Sequence, residues 1–388
     1  MDVIVAGAGP VGLMLAAELR AGGASVLVAE RERVPDQPHK AGAMGARALT
    51  APTVTALAER GLLPAVKAAA LAWFDPADPE PPPFAGHFAG IPVRPELAGP
   101  AVGAGSPGGG VIAQQDLESI LAERAAGLGA DIRRGVALTG FRDDGEAVTV
   151  STTEGEVRAR WLAGCDGGRS LVRKHGGFDF PGLGPEFTGL QAVVDIDDPG
   201  QLATDWAGNE FGSYVVGGWQ QGGPPRVHII EYGAQADRDA PVTPDEVQQS
   251  LRRVSGTGVT ITKVHVATRY TDATRQASTY RRGRVLLAGD AAHVHSPAGG
   301  QGLNLGLGDA ISLGGKLAAV THGAAPALLD TYTTERHPVG AWVQAWSMAQ
   351  TALGRRDQRT QALRDVVTDL INTRDGATYI LTSIAGLR

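Results

Sequence analysis

The N-terminus of this chain carries a strand, a glycine-rich turn and a helix in immediate succession, and this arrangement constrains the fold most strongly. Residues 2–6 are typical of a short buried strand, the turn is Gly7-Ala8-Gly9-Pro10-Val11-Gly12, and residues 11–21 repeat apolar side chains at helical spacing before Gly22-Gly23. In such a turn the first glycine allows the bend, the second lets backbone approach a pyrophosphate, and the third lets helix and strand pack closely. The sequence therefore predicts a dinucleotide-binding βαβ unit.

Glu30 indicates which kind of dinucleotide the predicted site binds. It ends a second apolar segment, residues 25–29, and follows Gly12 at close to the roughly 20-residue spacing of the carboxylate that accepts hydrogen bonds from a ribose 2′-hydroxyl. The unpaired amides and partial positive charge of the helix N-terminus bind the pyrophosphate. A 2′-phosphate would be repelled by Glu30, so the site suits the adenosine half of FAD, or NAD, and not NADP.

Composition excludes several classes of protein. The net charge is −6 and no basic run is present, so nothing indicates binding to nucleic acid or to a membrane surface. The single cysteine, Cys165, excludes an internal disulfide framework and offers too few thiolates for a structural zinc or iron–sulfur site. No apolar run reaches about 18 residues, and the first strand leaves no room for a signal peptide. We therefore expect a cytoplasmic protein.

A second motif late in the chain complements the first. Residues 284–288 form an apolar strand, Gly289 permits a close turn, and Asp290 stands at the carboxyl end of the strand, where ligands of open α/β sheets collect. A carboxylate at this position can hold a sugar hydroxyl.

The segment after this motif provides a site for negative charge. Pro297 fixes a loop, Gly299, Gly300 and Gly302 give it backbone freedom, and a helix that begins near residues 301–304 would present free amides. Reduced flavin carries negative charge on its pyrimidine edge, which a helix N-terminus stabilises. The two motifs together indicate FAD.

The order of segments predicts an α/β fold in which a Rossmann-like FAD domain is interrupted by an antiparallel substrate sheet. Residues 44–72 are predicted to be helical, with interruptions at Pro52 and Pro64. The predicted division is 1–75, first part of the FAD domain; 76–110, a loop and strand segment on the substrate side; 111–182, second part; 183–280, the substrate sheet; and 281–388, third part with C-terminal helices.

Three stretches resemble the sequence marks of the single-component FAD monooxygenases with the p-hydroxybenzoate hydroxylase fold. They are the glycine turn, the Cys165-Asp166-Gly167-Gly168-Arg169-Ser170 stretch and residues 284–304. Residues 129–135, 177–182 and 273–276 are similar to the actinomycete aromatic polyketide hydroxylases that act on angucycline and anthracycline skeletons. The resemblance spans essentially the whole chain.

The resemblance implies a set of FAD contacts. No catalytic side chain is certain because the flavin carries the chemistry, with a loop of Pro297, Gly299, Gly300 and Gln301 near the isoalloxazine. Asp166 is predicted with equal weight to stabilise a strand-end turn. Lys40 replaces the arginine of the family and lacks its bidentate fork. The implied FAD-binding residues are Gly7, Gly9, Pro10, Val11, Gly12, Glu30, Arg31, Lys40, Arg47, Gln114, Leu138, Asp166, Gly289, Asp290, Pro297, Gly300, Gly302, Leu303 and Asn304.

The implied reaction consumes NADPH or NADH and O2. FAD is reduced, forms a C4a-hydroperoxyflavin with oxygen, and hydroxylates a polycyclic phenol or quinone in antibiotic biosynthesis. The expected assembly is a monomer or a homodimer. Members of the family continue with a thioredoxin-like domain, so we expect either that this domain is absent or that the sequence is incomplete.

Candidate substrate contacts are aromatic side chains, since flat rings stack on a planar polycycle. Most such side chains are more often core residues than substrate contacts. His293 and His295 have the spacing of two metal ligands, but no third ligand is evident and we predict no metal. No Gly-x-Ser-x-Gly elbow supports a hydrolase. The candidates for the substrate wall are Trp73, Phe88, Phe211, Tyr214, Trp219 and His228.

Three alternatives to hydroxylation stay open at the level of sequence. The same flavin could insert oxygen beside a ketone in a Baeyer–Villiger reaction or another oxidative rearrangement. The chain could be a reductase or dehydrogenase without oxygen chemistry. It could also bind FAD as a non-catalytic partner or scaffold.

Overall fold

The computed structural model describes residues 1–74, 86–98, 109–217, 224–233, 237 and 240–387. The α-helices are α1 Pro10–Ala21, α2 Ala51–Glu59, α3 Leu63–Ala69, α4 Gln114–Gly127, α5 Leu171–His175, α6 Pro244–Ser255, α7 Gly302–Thr321, α8 Asp330–Leu353, α9 Gln358–Ile371 and α10 Arg374–Ile384. The strands of the first half are β1 Val3–Ala6, β2 Val26–Glu30, β3 Ala46–Leu49, β4 Ala70–Phe74, β5 His87–Phe88, β6 Ile91–Pro92, β7 Gly109–Ala113, β8 Asp131–Arg134, β9 Leu138–Asp143, β10 Val148–Thr152, β11 Gly155–Ala159 and β12 Trp161–Gly164. The strands of the second half are β13 Gly182–Leu183, β14 Phe187–Asp197, β15 Ala207–Asn209, β16 Gly212–Gly217, β17 Arg226–Tyr232, β18 Thr260–Thr271, β19 Thr274–Gln276, β20 Arg281–Arg282, β21 Val285–Leu287 and β22 His293–Val294.

The nucleotide domain is built on a sheet with strand order β20-β21-β12-β1-β2-β8. The pairs from β21 to β8 are parallel, and β20 is an antiparallel edge strand. The chain runs from β1 to its neighbour β2 and returns much later to its other neighbour β12, so the order reverses at β1. Ligands of open α/β sheets bind outside the carboxyl ends of strands at such a point. This is where the glycine turn lies.

Helices α1 and α7 pack against each other across small residues. A Cβ atom on Gly22 would stand 2.5 Å from Ala318, and one on Gly314 would overlap Glu18. The glycines therefore allow these two helices, which follow the two sequence motifs, to approach closely.

A second domain contains an antiparallel sheet with strand order β15-β16-β17-β14-β18. Helix α6 covers one face, where alternate residues of the strands form a separate core with the buried side of the helix. The opposite face carries Gln191, His228 and Tyr270, since Gln191 pairs with His228 on β17 and Gly189 pairs with Tyr270 on β18. We call this second surface the substrate face.

Four smaller sheets accompany the two main ones in the described part of the chain. Strands β3, β7 and β4 form one, β9 to β11 a second, and β13, β19 and β22 a third, while β5 and β6 form a hairpin. Helices α8 to α10 enclose the hairpin in a third core, whose buried members are Ile91, Val93, Trp346, Leu353, Ile371, Ala377, Ile380 and Leu381. The C-terminal helices thus hold the hairpin against the rest of the protein.

The helical prediction for residues 44–72 is confirmed in the middle of the segment and wrong at its two ends, which are strands. This region contains β3, two short helices and β4. Pro52 and Pro64 lie in the first turns of α2 and α3, where a proline starts a helix because no amide partner is needed there. The flanking strands pair with β7.

The architecture confirms the predicted fold class, an α/β nucleotide domain combined with an antiparallel-sheet domain. The boundaries of the five predicted segments stay a prediction. None of the described helices is both long and apolar enough to span a bilayer.

Candidate flavin and substrate site

The glycine turn forms an open cradle at the start of α1. Gly7 has a φ of 101°, and a Cβ there would lie 2.6 Å from the Cys165 carbonyl oxygen. A Cβ on Gly12 would collide with the Gly7 carbonyl, whereas one on Gly9 would meet nothing within 4 Å. No acidic residue and no side-chain cap occupies the first turn of α1. No side chain of the first turn therefore competes with an anion for the amides at the start of α1, and the site fits the phosphates of FAD.

Glu30 ends β2 beside this cradle. Its Oε2 accepts a hydrogen bond from the Ala8 amide at 2.7 Å, and its Oε1 accepts one from the Glu32 amide at 2.9 Å. These bonds fix the carboxylate and leave lone pairs on both oxygens, since each carboxylate oxygen accepts about two hydrogen bonds. The geometry suits a ribose hydroxyl.

Two further predicted FAD contacts lie at the edge of this site. The Arg31 side chain is 74% exposed and pairs with Glu32 at 3.3 Å. Leu138 opens β9, and the nearby Val136 amide donates to the Glu30 carbonyl at 2.9 Å. The start of β9 is therefore held close to the end of β2.

A buried carboxylate links two of the predicted cofactor residues. Lys40 Nζ lies 3.1 Å and 3.0 Å from the two carboxylate oxygens of Glu118, which is almost fully buried. Gln114 Nε2 donates to Glu118 Oε1 at 2.8 Å. Sequence reasoning missed Glu118, although its place one helical turn after Gln114 puts the two side chains on one face of α4.

Asp166 stabilises the start of α5. Its carboxylate accepts hydrogen bonds from Ser170 Oγ at 2.5 Å, from the Leu171 amide at 2.7 Å and from the Val172 amide at 3.1 Å. This is the turn-stabilising arrangement that the sequence allowed, and an FAD contact for Asp166 stays a proposal.

The second motif touches the first. Gly289 has a φ of 61°, and a Cβ there would stand 2.9 Å from the Val11 side chain. Asp290 follows at the exposed end of this turn. Burial lowers the pKa of Arg47, while the charges of Asp290 and Glu118 act in the opposite direction. Arg47 therefore lies in the electrostatic field of two carboxylates on separate elements of the nucleotide domain.

Asp309 on α7 supports this turn from beneath, and the sequence analysis did not identify it. The fully buried carboxylate accepts from the Gly289 amide at 3.1 Å and from Arg336 Nε at 2.8 Å, and it lies 2.6 Å from His293 Nε2. Burial raises the pKa of Asp309, but the charges of His293 and Arg336 more than offset this and hold it below its usual value. The sequence did carry a signal, because Asp309 is the one acidic residue of α7.

The loop before α7 has the features expected of a flavin-facing segment. Gly299 and Gly300 have φ angles of 85° and 64°, and α7 begins at Gly302 without an acidic residue in its first turn. Asn304 Oδ1 accepts from the Thr50 amide at 2.9 Å, and its Nδ2 donates to the Ala48 carbonyl at 2.9 Å. This residue ties the helix start to β3, which also carries Arg47.

Four aromatic side chains meet at the substrate face. Ring centroids are 5.3 Å apart for Trp206 and His228, 5.3 Å for His228 and Tyr270, and 6.4 Å for His87 and Trp206. His228 Nε2 is hydrogen-bonded to the Tyr270 hydroxyl. Burial lowers the pKa of His228 to about 3 and raises that of Tyr270, so both side chains are neutral near pH 7.

Arg226 connects the substrate face to the nucleotide domain. Its Nη1 donates to the Ala43 carbonyl at 2.9 Å. Burial lowers the pKa of Arg226, and the nearby positive charge of Arg47 lowers it further. The sheet therefore presents its open face to the segment that leads into β3.

The structure distributes the predicted substrate residues widely. His228 lies on the substrate face, and Phe88 packs on Trp346 with centroids 4.7 Å apart. Trp73 lies on β4, with Lys67 Nζ 4.9 Å from its ring. Phe211 is 51% exposed. Trp219 lies outside the described residues.

The placement of Tyr214 corrects the prediction that it lines the substrate wall. It is 4% exposed within the core under α6, and its hydroxyl accepts from the Ala203 amide at 3.1 Å. It occupies the covered face because β16 pairs Tyr214 with Ile229, one position away from His228.

The two histidines considered as metal ligands have other partners. His293 is bonded to Asp309, and His295 Nδ1 lies 2.7 Å from the Ser296 carbonyl oxygen. Throughout the described ranges, no three His, Cys, Asp or Glu residues are grouped so that they could hold a metal ion.

Three features lie together at one edge of the nucleotide sheet. They are the glycine cradle, the turn at Gly289-Asp290 and the start of α7, which has no side-chain cap. Together they define a nucleotide-binding flavoprotein. A family model described as an FAD binding domain matches residues 1–347, and the chain belongs to that family.

Relatives of known name support this assignment. The chain is 40% identical to the 12-dehydrotetracycline 5-monooxygenase/anhydrotetracycline 6-monooxygenase of Streptomyces rimosus, over 100% of this chain and 76% of the relative. The structure of CabE, an aromatic hydroxylase from angucycline biosynthesis, matches with a TM-score of 0.84 and 38% identity, over 100% of this chain and 76% of CabE. The Diels-Alderase PyrE3 from pyrroindomycin biosynthesis matches with a TM-score of 0.86 and 34% identity, over 99% of this chain and 80% of PyrE3.

These findings confirm the predicted family and cofactor. The chain is an FAD-dependent monooxygenase, and FAD binding follows from the family and from the fit of the cradle. Reduction of the flavin by NADPH or NADH is typical of this class.

Proposed function

We propose that this monooxygenase hydroxylates a planar polycyclic aromatic polyketide, a phenol or quinone, with NADPH or NADH and O2 as co-substrates. The aromatic substrate face carries the proposal, because Trp206, His228 and Tyr270 offer ring surfaces next to the nucleotide domain. The names of the tetracycline and angucycline enzymes among its relatives support the same substrate class. The proposal includes a cytoplasmic monomer or homodimer.

In this proposal FAD lies across the two motifs. The turn from Gly7 to Gly12 holds the pyrophosphate, Glu30 the adenosine ribose, and the loop from Pro297 to Asn304 the isoalloxazine. Bound FAD supplies hydride acceptance and oxygen activation. The remaining predicted contacts are Arg31, Lys40, Arg47, Gln114, Leu138, Asp166, Gly289 and Asp290.

The side chains of this protein orient the reactants and adjust charge. The amides at the start of α7 stabilise negative charge that develops on the ring they face. The neutral pair of His228 and Tyr270 orients a substrate oxygen by hydrogen bonding, without a full charge. The aromatic rings around them exclude water from the substrate face.

The test is NADPH and NADH oxidation by the FAD-loaded protein, with and without a panel of tetracyclic phenols and quinones, followed by mass spectrometry of the product in ¹⁸O₂. We expect substrate-dependent oxidation and a product that gains one labelled oxygen. Slow oxidation that ignores every compound would contradict the proposed activity.

The similarity to the Diels-Alderase PyrE3 gives a specific reason to examine the product mass. If the product were an isomer of the substrate, formed without consumption of reductant, the protein would catalyse a cyclisation and not a hydroxylation. If the product were a ring-expanded ester, with oxygen inserted next to a ketone, the reaction would be a Baeyer–Villiger oxidation.

A further inference from the structure

Two buried N–H donors on α8 lie against the loop that precedes α7. Gln350 is 2% exposed and Trp346 is 6% exposed. Within the described part of the chain, neither Gln350 Nε2 nor Trp346 Nε1 has a hydrogen-bond partner. A Cβ on Gly299 would overlap Gln350 Nε2 and would stand 3.1 Å from Trp346 Nε1. Both donors therefore lie against the same part of this loop, next to Gly299.

The other end of the Gln350 amide fixes its orientation. Its Oε1 accepts from the Ala89 amide at 3.1 Å, so its nitrogen must point away from the hairpin. Ala89 has a φ of 54°, which is unfavourable for a residue with a side chain. Its carbonyl is also held, by Arg364 Nη1 at 2.7 Å. Both backbone polar atoms of Ala89 are therefore hydrogen-bonded, and the Gln350 side-chain nitrogen has a defined direction.

Aromatic rings surround the two donors. Trp346 stacks on Trp342 with centroids 5.5 Å apart and an interplanar angle of 18°, and it meets Phe88 at 4.7 Å. Buried donors without acceptors cost free energy comparable to a lost hydrogen bond. Two of them side by side within an aromatic wall indicate that a ligand oxygen supplies the missing acceptor.

We propose that Gln350 and Trp346 form a donor pair that binds a carbonyl or quinone oxygen of the polycyclic substrate beside the loop 297–301. This inference rests on the proposed function and specifies its substrate class further, to polycycles with a ketone or quinone oxygen at the ring edge. A substrate without that oxygen would leave both donors unpaired, so the pair favours substrates that carry a ketone or quinone oxygen over those that lack it.

Two substitutions separate the donors from the rest of the wall. Gln350→Glu keeps an oxygen for the Ala89 amide but replaces the donating nitrogen with an acceptor. Trp346→Phe removes the indole N–H and keeps an aromatic ring against Phe88. Gln358→Glu, the same chemical change on the exposed first residue of α9, is the matched control.

The experiment titrates the FAD-loaded proteins with 2-hydroxyanthraquinone and with 2-hydroxyanthracene, which has the same three rings without the two carbonyl oxygens. Binding is followed by flavin absorbance and fluorescence. We expect each donor variant to weaken quinone binding by about tenfold and to leave anthracene binding and FAD affinity unchanged. The Gln358→Glu protein should behave as wild type.

Several results would overturn the inference. Equal weakening of both probes would show that the variants damage the wall, and unchanged quinone binding would show that the donors do not contact the oxygen. A loss of FAD affinity would assign the donors to the flavin. Failure of the wild-type protein to bind either probe is a different outcome, because it would count against the polycyclic substrate class itself.

Discussion

The glycine cradle and the substrate face recognise their ligands by different physical means. The cradle uses backbone amides and the absence of side chains, and six consecutive residues encode it. The substrate face uses side chains that come from distant segments, with His87, Trp206, His228 and Tyr270 on different elements. A phosphate site can therefore be specified locally, whereas an aromatic face exists only after the tertiary structure has formed. A substitution on the substrate face can therefore leave the local geometry of the cradle unchanged.

The strongest way to break this comparison is to add one methyl group to the cradle. In Gly12→Ala the new Cβ would collide with the Gly7 carbonyl, so the turn must shift and the protein should lose its bound FAD. Gly315→Ala is the matched control, because nothing lies within 4 Å of its Cβ and alanine should stabilise this helical position by about 0.5–1 kcal/mol. FAD content and thermal unfolding measure both effects. Full retention of FAD by Gly12→Ala would show that side-chain contacts, and not the backbone, hold the cofactor.

The next effect concerns the carboxylate beneath the second motif. Asp309→Asn leaves His293 and Arg336 without their buried negative partner, which should cost about 3–5 kcal/mol of unfolding free energy and weaken FAD binding. Urea denaturation and FAD release give the two values. Glu335→Gln removes an exposed carboxylate that pairs with Lys316, and its effect should stay below about 1 kcal/mol. If the two variants behaved alike, Asp309 would not support the Gly289 turn.

A pH experiment distinguishes the two regions, because the cradle residues 7–12 contain no titratable side chain. The pKa of His228 is about 3 in the folded protein, against roughly 6.5 in the unfolded chain. Acid therefore protonates the unfolded form first, and the stability that neutral His228 contributes above about pH 6.5 is lost as the pH falls toward 3.

Between pH 7 and pH 5, wild-type protein should consequently lose roughly 1–2 kcal/mol more stability than His228→Gln. Denaturation curves at both pH values test this difference. Parallel losses in the two proteins would mean that His228 is accessible to protons in the folded state.

The smallest effect is expected at the rim of the nucleotide site. Arg31 is predicted to contact FAD, but its side chain is largely exposed and pairs with Glu32. Arg31→Ala should change FAD affinity by less than about twofold, since exposed ion pairs contribute little. Fluorescence titration of the apoprotein with FAD provides the measurement. A tenfold loss of FAD affinity would show that the Arg31 side chain contributes to binding the nucleotide half of FAD.

The sequence predicted the nucleotide fold because its requirements are local. Gly7, Gly9 and Gly12 each answer a separate geometric need within one turn, and Glu30 follows at a standard spacing. Asp309 was missed because its role depends on Arg336, a residue on another helix. The strands around α2 and α3 were missed for a similar reason, since they pair with β7, which lies far along the chain.

The substrate face shows where sequence reasoning stops. The period of two along β16 and β17 separates the two faces of the sheet, but the pattern alone does not give the register between the strands. Tyr214 and His228 were therefore grouped, although the pairing of Val215 with His228 and of Tyr214 with Ile229 puts them on opposite faces. Trp206, Trp346 and Gln350 come from segments that carry no local motif.

The Tyr270 ring lies over Gly189, and a Cβ at residue 189 would overlap that ring. The absence of a side chain at residue 189 therefore lets the Tyr270 ring of the substrate face lie directly on the backbone of β14. One nucleotide change converts a glycine codon into an alanine codon. A single-base change at this codon would therefore displace the Tyr270 ring and change the shape of the substrate face.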